Sequence, residues 1–275
     1  MGLFQSAIGI ILATLIVHSV SGQSDNITLG ARSHAMGNAS VALKDDCSIF
    51  NNIGASATIE DISLISSFSH KFGFAPFKNI GVGITYPHNM GVFSLTIRRF
   101  GEDLYNEQHI GIGFSNKLGI VSLGLKVNYS QYTVLELGTT GVSHIEFGGV
   151  AELLPTLSFG AYIYNLTQAK LHSDDGMSLP VIIKSGFAYN PVDELTICAS
   201  VEKNIDQDTR IGAGVEYQFF NKFYLRSGIS TAPFQQYYGL GFSPYNFSFD
   251  YAMDNHNTLG LSHQLSIRYR FFKRY

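Results

Sequence analysis

The chain has 275 residues, a net charge of -3 and only 14% charged residues, against the about 25% usual for a soluble domain, so an ordinary soluble globular protein is disfavoured. A mean hydropathy of +0.10 is too low for a bundle of membrane helices, and a pI near 6.3 gives no reason to expect nucleic acid. The 15 Tyr, 21 Phe and 28 Gly, with no Trp, suit short strands joined by tight turns, with Tyr and Phe girdles at the membrane interfaces.

Residues 7–20 form one apolar run, and Val20-Ser21-Gly22 ends it in small residues, so residues 1–22 are expected to be a signal peptide cleaved after Gly22. The run is short for an uncleaved anchor helix and lacks a basic flank. No later apolar stretch is long enough for a membrane helix; a membrane protein with this sequence would cross as a barrel.

Residues 23–60 do not alternate. They are rich in Gly, Ala and Ser, with a short helix expected from about Ala35 to Leu43. From residue 61 onward, turn residues punctuate the chain at short intervals. About fourteen strands are expected, near 61–70, 79–86, 90–100, 107–116, 119–133, 143–154, 155–168, 180–190, 194–203, 208–219, 221–230, 236–243, 245–253 and 259–272. The fifth sets Val121, Leu123, Leu125, Val127 and Tyr129 against Ser122, Gly124, Lys126, Asn128 and Ser130. The last sets Leu261, Leu265, Ile267, Tyr269 and Phe271 against Ser262, Gln264, Ser266, Arg268 and Arg270. One face repels charge and the other collects it. Because a charge on the lipid face at the midplane costs about 2–4 kcal/mol, this sorting marks a transmembrane β-barrel. Arg98 and Arg99 are adjacent, which places that pair at a rim. The closing aromatic residues Phe271, Phe272 and Tyr275 resemble the C-terminal signal by which bacterial outer-membrane barrels are recognised for insertion.

The inward face collects Lys126, Glu146, Glu152, Lys184, Glu202, Arg210, Glu216, Lys222, Arg226, Asp250, Arg268 and Arg270. Two readings follow: the charges pair across strands within a plugged lumen, or the late cations line a path for an anionic solute. A barrel of this strand number is wider than its own side chains can fill, and residues 23–60 are the candidate occupant.

Within that segment Gly30-Ala31-Arg32, Met36-Gly37, Ala39, Val41-Ala42 and Asp45-Asp46, followed by Asn51-Asn52-Ile53-Gly54-Ala55, resemble the N-terminal signature of the FadL-like and PorV/PorQ-like outer-membrane barrels. The pattern there is G-A-R-x-x-x-M-G-x-A-x-V-A-x-x-D-D, then an N-P-A-G-like turn whose Pro is Ile53 here. The runs from Phe100 to Phe114 and from Gly260 to Phe271 resemble a Bacteroidetes-type branch of this superfamily. The resemblance implies a hatch over 23–60 under or inside a barrel over 61–275, with Gly30, Arg32, Met36, Gly37, Asp45, Asp46 and Asn52 carrying the hatch motif. It further implies an outer-membrane protein in contact with lipid that binds or transports a hydrophobic or amphipathic small molecule. The alternative is a secretion- or envelope-assembly barrel with protein partners. Fold alone does not choose between them.

Catalysis is not expected. Ser262 and His263 are adjacent in a strand and face opposite ways, the His residues are scattered, and Asp45-Asp46 and Asp174-Asp175-Gly176 lack the further carboxylates of a calcium loop. No cofactor or metal is expected. Cys47 and Cys198 would tether the hatch to the wall if their Cα atoms came within about 7 Å; unpaired thiols are the preferred reading.

Overall fold

Fourteen antiparallel strands close into one barrel in the computed structural model, which describes residues 28–171, 179–205, 207–256 and 258–271. The leader at 1–22, the acidic turn at 174–176 and the terminal residues Phe272 and Tyr275 lie outside the described residues. The strands are β1 (Ile62–His70), β2 (Lys78–His88), β3 (Gly91–Gly101), β4 (Tyr105–Leu118), β5 (Val121–Val134), β6 (Gly138–Leu154) and β7 (Leu157–Tyr164). They continue as β8 (Ile182–Val192), β9 (Leu195–Asn204), β10 (Arg210–Phe219), β11 (Phe223–Ser230), β12 (Gln235–Phe242), β13 (Phe247–His256) and β14 (Gly260–Phe271). Each pairs with its neighbours in sequence. The seam runs between β1 and β14, from Ile62 opposite Phe271 to His70 opposite His263, so no strand edge is left open.

Period-two alternation sorts the two faces. In β4, Ile110, Ile112 and Phe114 face outward while Gly111, Gly113 and Ser115 face inward. In β5 and β6 the inward set includes Lys126, Asn128, His144 and Glu146, all buried. Connections as short as residues 89–90, 119–120 and 155–156 gather at one rim together with the start of β1 and the end of β14. The longer connection over 71–77 lies at the other. We refer to these as the turn rim and the loop rim; in bacterial barrels the short turns face the periplasm.

Strand bounds agree with the alternation to within a few residues, with two larger differences. β6 begins at Gly138, not near 143, and β7 ends at Tyr164, not near 168. The polar stretch from Gly138 to Val142 pairs with the end of β5 beyond the apolar band, where no lipid-facing alternation is required. Asn165 and Gln168 both take positive φ, which ends β7. Lys222 is not inward. Phe220 and Asn221 take φ of 51° and 57°, turning the chain after β10, and Lys222 Nζ lies over the Tyr245 ring, 5.6 Å from its centroid. Arg98 points inward and Arg99 outward near the loop rim.

Residues 28–59 fill the lumen. They form α1 (Ala31–Ala35), α2 (Ser48–Asn51) and a 3-10 turn over Ile53–Thr58, and almost all are buried. The helix expected over 35–43 instead lies at 31–35. Gly37 and Asn38, with φ of 68° and 60°, end it, because this stretch is shaped to meet the wall and not to continue a helix.

Candidate functional site: a plugged lumen

The plug meets the wall backbone to backbone at several places, of which two stand out. At the first, residues 36–37 sit in a socket made by Gly212, Gly214 and Gly228 of β10 and β11; a Cβ on Gly37 would stand 2.5 Å from the Ile229 carbonyl and 2.7 Å from that of Ala213. Left-handed φ and lack of space both require glycine there. At the second, Asn52 and Gly54 press on Gly124, Gly148 and Gly149 of β5 and β6. Asn52, fully buried, donates from Nδ2 to the carbonyls of Val41 (2.6 Å) and Gly149 (3.1 Å), and its Oδ1 accepts from Gly54 N (3.2 Å). These docking points lie on different wall segments, β10–β11 and β5–β6, so the plug spans the lumen.

Charges secure the side nearer the turn rim. Arg32 of α1 forms a two-pronged pair with Glu216 of β10 (Nε to Oε2 2.9 Å, Nη2 to Oε1 2.7 Å) and donates from Nη1 to Asp45 (3.0 Å). Glu216 also accepts from Arg226 Nε, and Arg226 Nη1 donates to Asp250 at 2.6 Å. Asp46 Oδ2 accepts from both Arg268 and Arg270, at 2.8 Å each. Burial pushes the Asp46 carboxyl up, but the two guanidinium charges outweigh burial and hold it below the usual carboxylate range. For Asp45 burial prevails over Arg32 and its value is raised. Together Arg32, Asp45, Asp46, Glu216, Arg226 and Arg268 line a turn-rim vestibule of about 300 Å³.

Toward the loop rim the contacts are polar and smaller in number. His34 Nε2 lies 2.6 Å from Asp254 Oδ1, and Arg210 donates to the Tyr237 hydroxyl at 2.6 Å. These four residues border a cavity of about 50 Å³. Other lumen charges meet directly across strands. Lys126 opposite Glu146 makes a 3.3 Å contact, and Lys184 opposite Glu202 makes one of 2.9 Å.

The inward cations named from the sequence thus divide. Lys126, Lys184, Arg226, Arg268 and Arg270 take carboxylates, whereas Arg210 bonds hydroxyl and amide groups. Of the hatch-motif residues, Arg32, Asp45 and Asp46 form the latch, Gly37 and Asn52 the docking points, and Met36 packs with Ala39, Ala188 and Cys198. Gly30 fits beside Cys47 and donates its amide to Ser67 Oγ at 3.2 Å. Cys47 and Cys198 are separate free thiols. Cys47 packs with Ile49 and Ile65, while Cys198 donates to the Gly214 carbonyl at 3.7 Å. His34, Asp254, Tyr237, His109 and His144 were not singled out by sequence. Extending the inward parity of β4 and β6 by one rung would have placed His109 and His144 in the lumen.

No protein-family model matches the chain, and no curated protein does. Among solved structures, the CymD monoaromatic hydrocarbon channel aligns over 92% of this chain and 100% of its own, with TM-score 0.73 and 9% identity. The toluene transporter TbuX of Ralstonia pickettii aligns over 90% and 100%, with TM-score 0.68 and 12% identity. A FadL homologue from Pseudomonas aeruginosa aligns over 89% and 98%, with TM-score 0.59 and 14% identity. At these identities the likeness is one of fold.

Proposed function

We propose that this protein is a FadL-like uptake barrel of the bacterial outer membrane that admits a small hydrophobic or amphipathic molecule past its N-terminal plug. The observation that carries this reading is the plug itself: residues 28–59 are held between the turn-rim vestibule and the small loop-side cavity by ion pairs and hydrogen bonds, with no covalent tie to the wall. A seal of that kind is reversible. The fold shared with hydrocarbon channels supports the same reading. The outward apolar faces match a lipid environment, and residues 1–22 fit the role of a cleaved leader that delivers the chain to the envelope. Assignment to a Bacteroidetes-type branch rests on the strand runs and that to envelope protein partners on the hatch motif, and both are secondary to the uptake role.

Uptake of toluene and benzyl alcohol into proteoliposomes tests the proposal, comparing the wild type with Asp46→Asn. Protein-dependent entry that rises in the variant is expected. Entry no faster than into protein-free vesicles for both forms would refute uptake, and recovery of a large envelope complex in mild detergent would then favour the assembly role.

A further inference from the structure

On the wall opposite the charged latch, β3 to β7 enclose a second cavity, of about 40 Å³, lined by Arg98, His109, Lys126, His144, Glu146 and Tyr164 among others. Its polar groups are incompletely satisfied. His144 is 2% exposed and neither ring nitrogen has a hydrogen-bond partner; its Nε2 stands 3.8 Å from Glu146, beyond hydrogen-bond reach. Arg98 donates from Nη2 to His109 Nε2 at 2.9 Å, but its Nε is buried without a partner. Among the described residues no carboxylate lies within ion-pair distance of Arg98. Glu146 is already taken by Lys126 and by Asn128 (2.9 Å), and Glu107, one rung higher, accepts from the Tyr105 hydroxyl at 2.9 Å. Orphaned buried donors of this kind call for a partner.

Above this cavity the wall turns aromatic. Tyr132 meets His109 edge to face at 5.8 Å and Tyr164 meets His144 at 4.7 Å. Closer to the loop rim, Tyr105, Phe100 and Phe77 follow one another at 6.5 and 6.2 Å, and Phe72 stands 6.2 Å beyond Phe77. Aromatic side chains therefore lead from the loop rim toward a small polar cavity lined by two cations, Arg98 and Lys126, and one carboxylate, Glu146, with Glu107 one rung above.

Resting on the uptake reading above, we infer that this cavity receives the carboxylate of a small aromatic acid, with Arg98 as its ion-pair partner, His144 as a further hydrogen-bonding group and the ring directed up the wall toward Tyr132 and Tyr164. A guanidinium with free donors suits a planar carboxylate. The cavity's volume suits such a head group, and the aromatic approach suits a flat ring over an aliphatic chain.

Calorimetric titration of the full-length protein in detergent with benzoate, benzyl alcohol and acetate tests the inference. Benzoate is expected to bind at least about tenfold more tightly than benzyl alcohol, its neutral near-isostere, and than acetate, which lacks the ring. Arg98→Gln should abolish the first preference, and Arg98→Lys should restore part of it. The benzoate to benzyl alcohol ratio in the wild type stands even if the Arg98 variants fail to fold. Equal affinities, no heat with benzoate, or full benzoate affinity in folded Arg98→Gln would overturn the inference and leave a cavity that holds water only. Benzyl alcohol entering proteoliposomes without benzoate binding would sink this inference while sparing the uptake role. Benzoate binding without entry of any solute would do the reverse.

Discussion

Replacing Asp46 by Asn should loosen the plug far more than it loosens the barrel. The carboxylate is 1% exposed and receives two guanidinium donors, so a neutral amide in its place would leave Arg268 and Arg270 without their counter-charge. Breaking a buried pair by removing one partner costs about 3–5 kcal/mol. Arg270 is 41% exposed and its share is screened by solvent, which brings the expected cost to about 3 kcal/mol. At about 1.4 kcal/mol per tenfold, the undocked fraction of the plug should rise on the order of 100-fold. Hydrogen exchange read by mass spectrometry reports this directly. Peptides from residues 30–59 should lose about two decades of protection while peptides from β3 to β6 keep theirs. In an Arg268→Gln/Arg270→Gln background the same change should add little, since the coupled partners are already gone. Unchanged plug protection in folded Asp46→Asn protein would refute the latch. Acid supplies an independent arm. Because the folded carboxyl lies below its unfolded value, the Asp46 contribution is fully present above the ordinary carboxylate pKa of about 3.9 and is lost only as pH falls through the depressed folded value. Plug protection that depends on Asp46 should therefore be flat from neutral pH to about pH 5.

Three further outcomes are expected. Gly54→Ala should unseat the plug, because its Cβ would meet the backbone at Gly148 and Gly149, whereas Gly73→Ala, in open space at φ +62°, should cost only about 1 kcal/mol of backbone strain; thermal shifts of heat-modifiable gel mobility compare the two. Lys126→Met, which leaves Glu146 buried and unpaired, should destabilise the barrel by about 3–5 kcal/mol in urea unfolding from lipid vesicles, and adding Glu146→Gln should recover much of it. Ile112→Arg, on the outward face of β4, should cost about 2–4 kcal/mol in the same assay, against about 0–1 for Leu118→Arg at the end of that strand.

Much of the wall was legible because lipid on one side and a polar lumen on the other impose a strict period of two, and residues such as Lys126, Glu146, Arg226 and Arg268 fall on the inward parity without exception. The same rule fails where that asymmetry stops. Gly138 to Val142 extends β6 beyond the apolar band and carries no alternation, and Phe220-Asn221 reverses the chain before parity reaches Lys222. The plug was legible as a motif but not as a shape. Gly37 and Asn52 are fitted to wall carbonyls contributed by strands about 100 to 190 positions away, a tertiary demand that local propensity does not encode. For the same reason, Asp46 could be identified as a hatch residue, yet its pairing with Arg268 and Arg270 follows only from closure of the barrel.

The plug is fastened across the seam. Ala31 N donates to Ser266 Oγ of β14 and Gly30 N to Ser67 Oγ of β1, while Asp46 grips β14 through its two arginines. Among the earliest described residues of the chain are some that are completed by the last strand to be made, so the lumen cannot be sealed in its final form until the wall has closed. An assembling barrel of this design stays permeable until β14 is in place, and the arrival of that strand both shuts the ring and supplies the charges that seat the plug. Closure and sealing become one cooperative event, with the C-terminal strand as the shared component.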